Sequence, residues 1–169
     1  MLQLDVERLR MAPGDFIRLE LQEDLPSFEL HGGILHFPAP VKLSLLVSNN
    51  GSTIIVDGKV SGTINLTCDR CLEPFDCFFE APVNESYTQI PDKGGVEAVS
   101  YTGDVIDITP EVIKSIILSL PMKFTCSEDC QGLCSICGCN LNKGRCECEN
   151  EDIDPRLSAL QALLKKTNS

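Results

Sequence analysis

Histidine is nearly absent: His31 and His36 are the only two in 169 residues. Both flank the Gly32-Gly33 turn and stand far from any cysteine in sequence, so they read as residues beside a turn. Histidine-dependent acid–base or triad chemistry lacks its parts. There is no Gly-rich phosphate loop and no Ser/His/Asp arrangement, which removes the common signatures of phosphate and acyl chemistry. No catalytic residues are expected, and the chain reads as a non-enzyme. Basic residues are scarce as well. Fourteen Lys and Arg stand against 25 Asp and Glu, a formal net charge of −11. Broad phosphate-driven binding of nucleic acid needs a basic surface, which this balance denies. The same acidity suits a basic protein partner. No run of about 18 uncharged apolar residues occurs, so no transmembrane helix is expected. Asp5, Glu7, Arg8 and Arg10 occupy the place of an apolar h-region. No secretory signal is therefore expected, and the chain is expected in the cytoplasm.

What the chain holds in quantity is cysteine. Ten in 169 residues is about 6%, below the roughly 8–10% of small disulfide scaffolds. In a reducing cytosol, clustered cysteines hold metal more often than they form disulfides. Four thiolates around one divalent cation add −2 to the charge of neutral thiols. Two such sites would take −11 to about −15.

The apolar share of 43% and mean hydropathy of +0.03 are those of an ordinary folded chain. Its first 90 residues are β-rich. Residues 16–21 (FIRLEL) alternate apolar and charged side chains, and 41–48 (VKLSLLVS) are largely apolar. Asn49, Asn50, Gly51 and Ser52 supply turn chemistry before 53–56 resume an extended pattern, which predicts a hairpin. Gly58 and Gly62 punctuate the next stretch, 63–67 alternate toward Cys68, and 76–83 form a further strand weakened by Pro82. Residues 85–104 read as a long loop. The fold class expected is α+β: a curved antiparallel β-sheet or small open barrel, with one core helix, a cysteine-rich zinc module and a C-terminal helix.

The helix signal is clear over about 109–120. Thr109 is the expected cap, Pro110 the first helical position, and Glu111 complements the dipole. Val112, Ile113, Ile116, Ile117 and Leu120 recur at helical spacing as a core stripe, and Pro121 stops the run. Between 126 and 148 the only large aliphatic residues are Leu133, Ile136 and Leu141, too few to hold a shape without a cross-link. A second helix is expected over 154–169, where Asp154 caps, Pro155 starts, Leu157, Leu160 and Leu163 or Leu164 make a stripe, and Lys165 and Lys166 close the end. The expected organisation is a β-rich domain over 1–125, a metal-binding module over 126–153 and that terminal helix.

Seven of the cysteines crowd the end of the chain. Cys134-Ser135-Ile136-Cys137-Gly138 has the spacing of a metal knuckle, in which two intervening residues let both sulfurs reach one ion and the glycine relieves the turn. Cys146 and Cys148, at i and i+2, share one face of an extended segment. The four make one candidate zinc site. Cys68-Asp69-Arg70-Cys71 is a second knuckle without a local partner, and Cys126 and Cys130 are a loose pair that also lacks one. Joining them gives a second site of Cys68, Cys71, Cys126 and Cys130. Cys77 and Cys139 remain as spares, and Cys139, two residues from Cys137, rivals a named ligand. Zinc suits all-thiolate tetrahedra best, with iron–sulfur as the alternative. Closed coordination leaves no place for water, so one or two structural ions are expected. Thiol redox chemistry or metal handling at Cys68 and Cys71 is the competing reading. A thioredoxin-type pair opens a helix, however, whereas Leu72-Glu73-Pro74 continues as a turn. The cysteine module is acidic and has no aromatic residue for base stacking, so it grips RNA poorly; Arg70 and Lys123 are the only basic hint near the first site.

These motifs resemble the YceD family, named as large ribosomal RNA subunit accumulation proteins. The resemblance is carried by Leu66-Thr67-Cys68-Asp69-Arg70-Cys71-Leu72-Glu73-Pro74-Phe75, Leu120-Pro121, and the block Cys130-Gln131-Gly132-Leu133-Cys134-Ser135-Ile136-Cys137-Gly138. Asn140-Leu141-Asn142, Cys146-x-Cys148 and Asp154-Pro155-Arg156-Leu157 complete it. Ser135 stands where the family commonly has Pro, and Cys139 at a position that looks variable there. The resemblance implies a non-enzymatic factor supporting accumulation of large-subunit ribosomal RNA, in bacteria and chloroplasts. Family genes often neighbour that of a small basic zinc-binding protein of the large subunit. This implies a basic ribosomal protein or a large-subunit precursor as partner.

Overall fold

Alternating apolar and polar side chains fill most of the first hundred residues, and strands form wherever that period of two persists. The structure is a computed structural model and describes residues 1–30, 33–90 and 98–148. In chain order its elements are β1 (Gln3–Asp5), α1 (Glu7–Arg10), β2 (Phe16–Glu23), β3 (Phe28–Leu30), β4 (Gly33–Leu35) and β5 (Val41–Asn49). They continue with β6 (Ile54–Thr67), β7 (Pro74–Thr88), β8 (Val99–Ser100), β9 (Val105–Asp107) and α2 (Thr109–Ser119). The described chain divides into two compact units. One is Met1–Asp69 with Glu73–Cys126; the other is Arg70–Leu72 with the described residues from 127 on.

The first unit is built on five strands in the order β2-β5-β6-β7-β8, with β1 paired to β9 and β3 to β4. The large sheet is open, not a barrel, and it is not wholly antiparallel: β8 joins β7 in parallel through Tyr87↔Val99 and Thr88↔Ser100. β5 buries Val41, Leu43, Leu45 and Val47 on one face. The inward set continues as Ile54, Val56, Val60, Ile64 and Leu66 on β6, and as Phe79, Ala81, Val83 and Tyr87 on β7. α2 packs on β7 and adds Val112 and Ile116 to the same core. Each such side chain taken from water contributes about 1.5–3 kcal/mol, so this unit is held by its own apolar core.

Two expected strands, 53–56 and 63–67, are one strand in the structure. Gly58 and Gly62 do not break β6, whose pairing with its neighbours runs straight through both. A Cβ on Gly58 would overlap the backbone carbonyl oxygen of Ser44 on β5. One on Gly62 would stand 3.3 Å from Cζ of Phe79, whose ring fills that space. β7 likewise runs past its expected limits. It carries Pro82 because only Tyr87 and Thr88 pair with β8, which leaves most of β7 an edge where a missing N–H is tolerated. The expected loop over 85–104 therefore begins inside a strand and also contains β8.

The hairpin turn forms as expected, with Asn50 Oδ1 accepting the N–H groups of Ser52 at 3.1 Å and Thr53 at 2.9 Å. α2 also stands where its stripe predicts, but Thr109 is not its cap. Ile108 holds the cap position without a side-chain bond, and Thr109 lies in the first turn. Its N–H donates 2.9 Å to Asp107 Oδ1, and its own Oγ1 accepts the N–H of Leu2 at 2.8 Å. Pro121 pushes Leu120 into extended backbone (φ −70°, ψ 145°), which ends the helix. The expected helix over 154–169 lies outside the described residues.

In the second unit, no large aliphatic side chain is buried among the described residues. Leu133 and Leu141 are half-buried, while Leu72 and Ile136 are exposed. Hydrophobic burial does not hold this unit, so its cysteines are the place to look for what does.

Candidate metal centres

Cys68 follows directly on β6, and its N–H donates to the carbonyl of Glu73 at 2.9 Å to close the knuckle. The turn needs a left-handed residue, which here is Leu72 (φ +58°) where a glycine would be unstrained. Asp69 fixes the strand end: its N–H donates to the Phe124 carbonyl and its Oδ2 accepts the Phe124 N–H, both at 2.7 Å. The N–H of Cys126 then points at Cys68 Sγ, 3.4 Å away. Arg70 does similar work from its side. Its Nη1 donates 3.0 Å to the Cys130 carbonyl and its own carbonyl accepts the Leu133 N–H at 3.1 Å. Gly132 (φ +75°) lies under that carbonyl, where a Cβ would come within 3.1 Å. Asn142 Nδ2 donates 3.4 Å to Cys130 Sγ, and its Oδ1 accepts the N–H of Gln131 at 2.8 Å. The sulfurs of Cys68, Cys71, Cys126 and Cys130 all lie within 4.8 Å of one another. Cys68, Cys71 and Cys130 are buried and Cys126 is exposed.

The second set is Cys134, Cys137, Cys146 and Cys148, again with every sulfur within 4.8 Å of the others. Backbone bonds shape its knuckle: the Gly138 N–H donates to the Cys134 carbonyl and the Cys134 N–H to the Cys139 carbonyl, both at 2.9 Å. Gly138 takes φ +72° with open space where a Cβ would stand, so backbone conformation alone calls for the glycine. The N–H groups of Cys137 and Ile136 both aim at Cys134 Sγ and, with a side-chain bond from Cys146, pull that thiol down to about 6. Cys137 is lowered in the same way, first by the backbone N–H of Cys139. Cys148 is pushed up to about 12, chiefly because its proton is shared with Cys137. Amide groups aimed at sulfur favour thiolate, which is the form that binds metal.

Cys77 and Cys139 stand in neither set. Cys77 is half-buried on β7 opposite Ile64. His36 serves through its backbone carbonyl, which accepts the N–H of Asn65 at 2.9 Å; His31 lies outside the described residues. The sequence reasoning missed Asp69, Arg70 and Asn142 as supports of the first set. The signal for Asn142 was present in Asn140-Leu141-Asn142: Asn140 Oδ1 accepts both the backbone N–H and the Nδ2 of Asn142, each at 3.0 Å.

A family model described as large ribosomal RNA subunit accumulation protein YceD matches residues 56–164. The chain belongs to the YceD family. The matched stretch contains both cysteine sets. A protein of Mycobacterium leprae, uncharacterised by its name, is 30% identical over 145 residues, covering 81% of this chain and 66% of the relative. The Bacillus subtilis protein YlbN is 31% identical over 133 residues, 76% of each chain. A maize protein named large ribosomal RNA subunit accumulation protein YCED homolog 1, chloroplastic, is 28% identical over 194 residues, covering 92% of this chain and 66% of the relative. The chain thus spans about two thirds of the length of the mycobacterial and maize relatives. No solved structure matches this YceD-family chain. Among its described residues no helix is long and apolar enough to cross a membrane.

The donor chemistry of the two sets fits a small divalent ion. Around zinc, Zn–S bonds of about 2.3 Å in a tetrahedron put sulfurs about 3.8 Å apart, so sulfurs already within 4.8 Å need to close by an ångström or less. Each set can hold a metal ion with four thiolates. Neither set includes a histidine or carboxylate, and four sulfurs fill the coordination sphere.

Proposed function

We propose that this chain is a non-enzymatic factor that supports accumulation of large-subunit ribosomal RNA, with two structural zinc ions held by Cys68/Cys71/Cys126/Cys130 and Cys134/Cys137/Cys146/Cys148. The observation that carries the reading is the presence of two four-sulfur sets in a chain of the YceD family. Closed thiolate coordination hardens a fold and leaves no site for hydrolysis. The factor works in the cytoplasm by binding a basic ribosomal protein or a large-subunit precursor. The acid excess of the chain supports such a partner through charge complementarity. Exposed Glu128, Asp129 and Glu147 lie on the same short segment as the cysteines. Thiol redox chemistry at Cys68 and Cys71 is the weaker reading: both are buried, whereas catalytic thiols are partly exposed.

Depletion of the protein tests the biological half. Large-subunit RNA should fall relative to small-subunit RNA, and an unchanged ratio would overturn the assignment. Native mass spectrometry of reduced, untagged protein tests the chemical half: two zinc ions per chain are expected, and disulfide-shifted masses without metal would refute the sites.

A further inference from the structure

The large sheet ends in two unlike edges. On one side β7 is interrupted by Pro82 and covered in part by β8. On the other, β2 has β5 as its one neighbour among the described residues, and it carries neither proline nor glycine. Edges are commonly blunted by proline, bulges or inward charges, because a bare one pairs with another strand. The register with β5 sorts the side chains of β2. Ile17, Leu19 and Leu21 stand opposite Val47, Leu45 and Leu43 and so share the core face, while Arg18 and Glu20 stand opposite Leu46 and Ser44 on the outward face. Ile17 is exposed and Leu19 and Leu21 are half-buried, so this apolar row is an open margin of the core. Arg18 is exposed, as is Glu20, whose Oε1 accepts the Ser44 hydroxyl at 2.6 Å. The backbone is sorted as well. The Asp15 carbonyl accepts the N–H of Asn49, at the end of β5, and bonding direction alternates along an antiparallel strand. Odd-numbered residues of β2 therefore bond to β5, and residues 16, 18, 20 and 22 turn their N–H and C=O groups off the free edge.

We propose that a second copy of this chain pairs with that edge, β2 against β2 and antiparallel, about a two-fold axis at Leu19. The strand is self-complementary in this register and in no adjacent one. Arg18 of each copy stands opposite Glu20 of the other on the outward face, on both sides of the axis. On the core face Ile17 stands opposite Leu21, and Leu19 opposite its own counterpart. These apolar pairs take the non-hydrogen-bonded positions, where side chains come closest. Residues 16 with 22 and 18 with 20, whose N–H and C=O groups face the edge, are the ones that exchange hydrogen bonds. A slip of two residues sets Arg18 against Arg18 in one direction and Glu20 against Glu20 in the other. A slip of one sets Leu19 against Arg18 or Glu20. An isologous contact of this kind closes at two copies, and the two sheets run on as one. It needs no metal.

Sedimentation equilibrium of the full chain decides the matter, in about 0.15 M salt so that repulsion between two copies of net charge −11 is screened beyond about 8 Å. The wild type should pass from monomer to dimer as concentration rises. Arg18→Glu and Glu20→Arg each bring like charges together twice, and each alone should weaken self-association about tenfold. Mixed in equal amounts, the two variants should associate as well as the wild type, since every contact between positions 18 and 20 again joins opposite charges. Amide exchange in the wild type gives a reading without mutation. The N–H groups of Arg18 and Glu20 should gain protection as concentration rises, while those of Ile17 and Leu19, already bonded to β5, should not change. A chain that stays monomeric to about 1 mM overturns the proposal, as does a dimer that both variants form as readily as the wild type. Protection of Arg18 and Glu20 only when another protein is added overturns the second copy as the occupant of this edge. Should either variant fail to fold, exchange at those two amides decides.

Discussion

Glycine serves two separate needs in this chain, and alanine tells them apart. At Gly138 there is room for a methyl group but φ is +72°, so Gly138→Ala costs the backbone about 1–2 kcal/mol and disturbs only the knuckle of the second unit. At Gly58 the Cβ would overlap the backbone of Ser44 in the middle of the sheet. Backbone cannot swing aside as a side chain does, so Gly58→Ala should lower the stability of the sheet by about 3 kcal/mol or more. Urea unfolding followed by far-UV circular dichroism separates them: a small effect of Gly58→Ala on the sheet transition would show that β5 and β6 are less closely apposed than described. Tyr87 makes a second residue-scale case. Burial raises its hydroxyl well above the ordinary value, helped by the nearby carboxylates of Glu111, Glu85 and Asp107. The folded state keeps this proton while the unfolded state gives it up from about pH 10, so unfolding gains and stability falls as pH rises above that point. Tyr87→Phe removes that part of the alkaline loss. If the wild type and Tyr87→Phe lose stability in parallel between pH 9 and 11, the phenol is not held neutral by the fold.

Elements were legible in the sequence where one rule acted alone. α2 is an example, because its stripe, its proline start and its proline stop all agree and each is local. β5 is another, since one alternating run lies between two turns. β6 was divided in error because Gly58 and Gly62 read as punctuation. They are small because the backbone of Ser44 leaves no room at Gly58 and the Phe79 ring little at Gly62, and both are neighbours far along the chain. β1, β9 and α1 were missed for a like reason, being three or four residues long and ordered by docking instead of propensity. Thr109 shows what such docking rests on, as its hydroxyl accepts the N–H of Leu2, next to β1. Thr109→Val keeps the shape and removes the acceptor. Leaving that buried N–H without a partner should cost about 1–3 kcal/mol. Amide exchange at Leu2 should quicken in the variant; exchange as slow as in the wild type would mean that β1 is held without Thr109. The cysteine sets were legible by spacing, because knuckle geometry is local. Their supports in Asp69, Arg70 and Asn142 were not, because a hydrogen bond from Asn142 to Cys130 spans twelve residues and depends on a turn the sequence does not announce.

At the scale of the whole molecule the two units rest on different physics. The first buries a continuous set of valine, leucine and isoleucine and needs no cross-link. The second has no large aliphatic side chain buried among its described residues, and on the metal reading proposed above its folding depends on metal–thiolate bonds. Removal of metal should therefore act on the two units unequally. In the presence of a strong chelator, or in Cys134→Ser and Cys146→Ser, trypsin should cut quickly after the exposed Lys143 and Arg145, while the far-UV signal of the sheet persists. The loaded wild type should resist at those two bonds under the same conditions. Equal cleavage with and without chelator would mean that something other than metal orders this segment. Loss of the sheet signal along with it would mean that the first unit draws on the metal too, against the evident sufficiency of its own core.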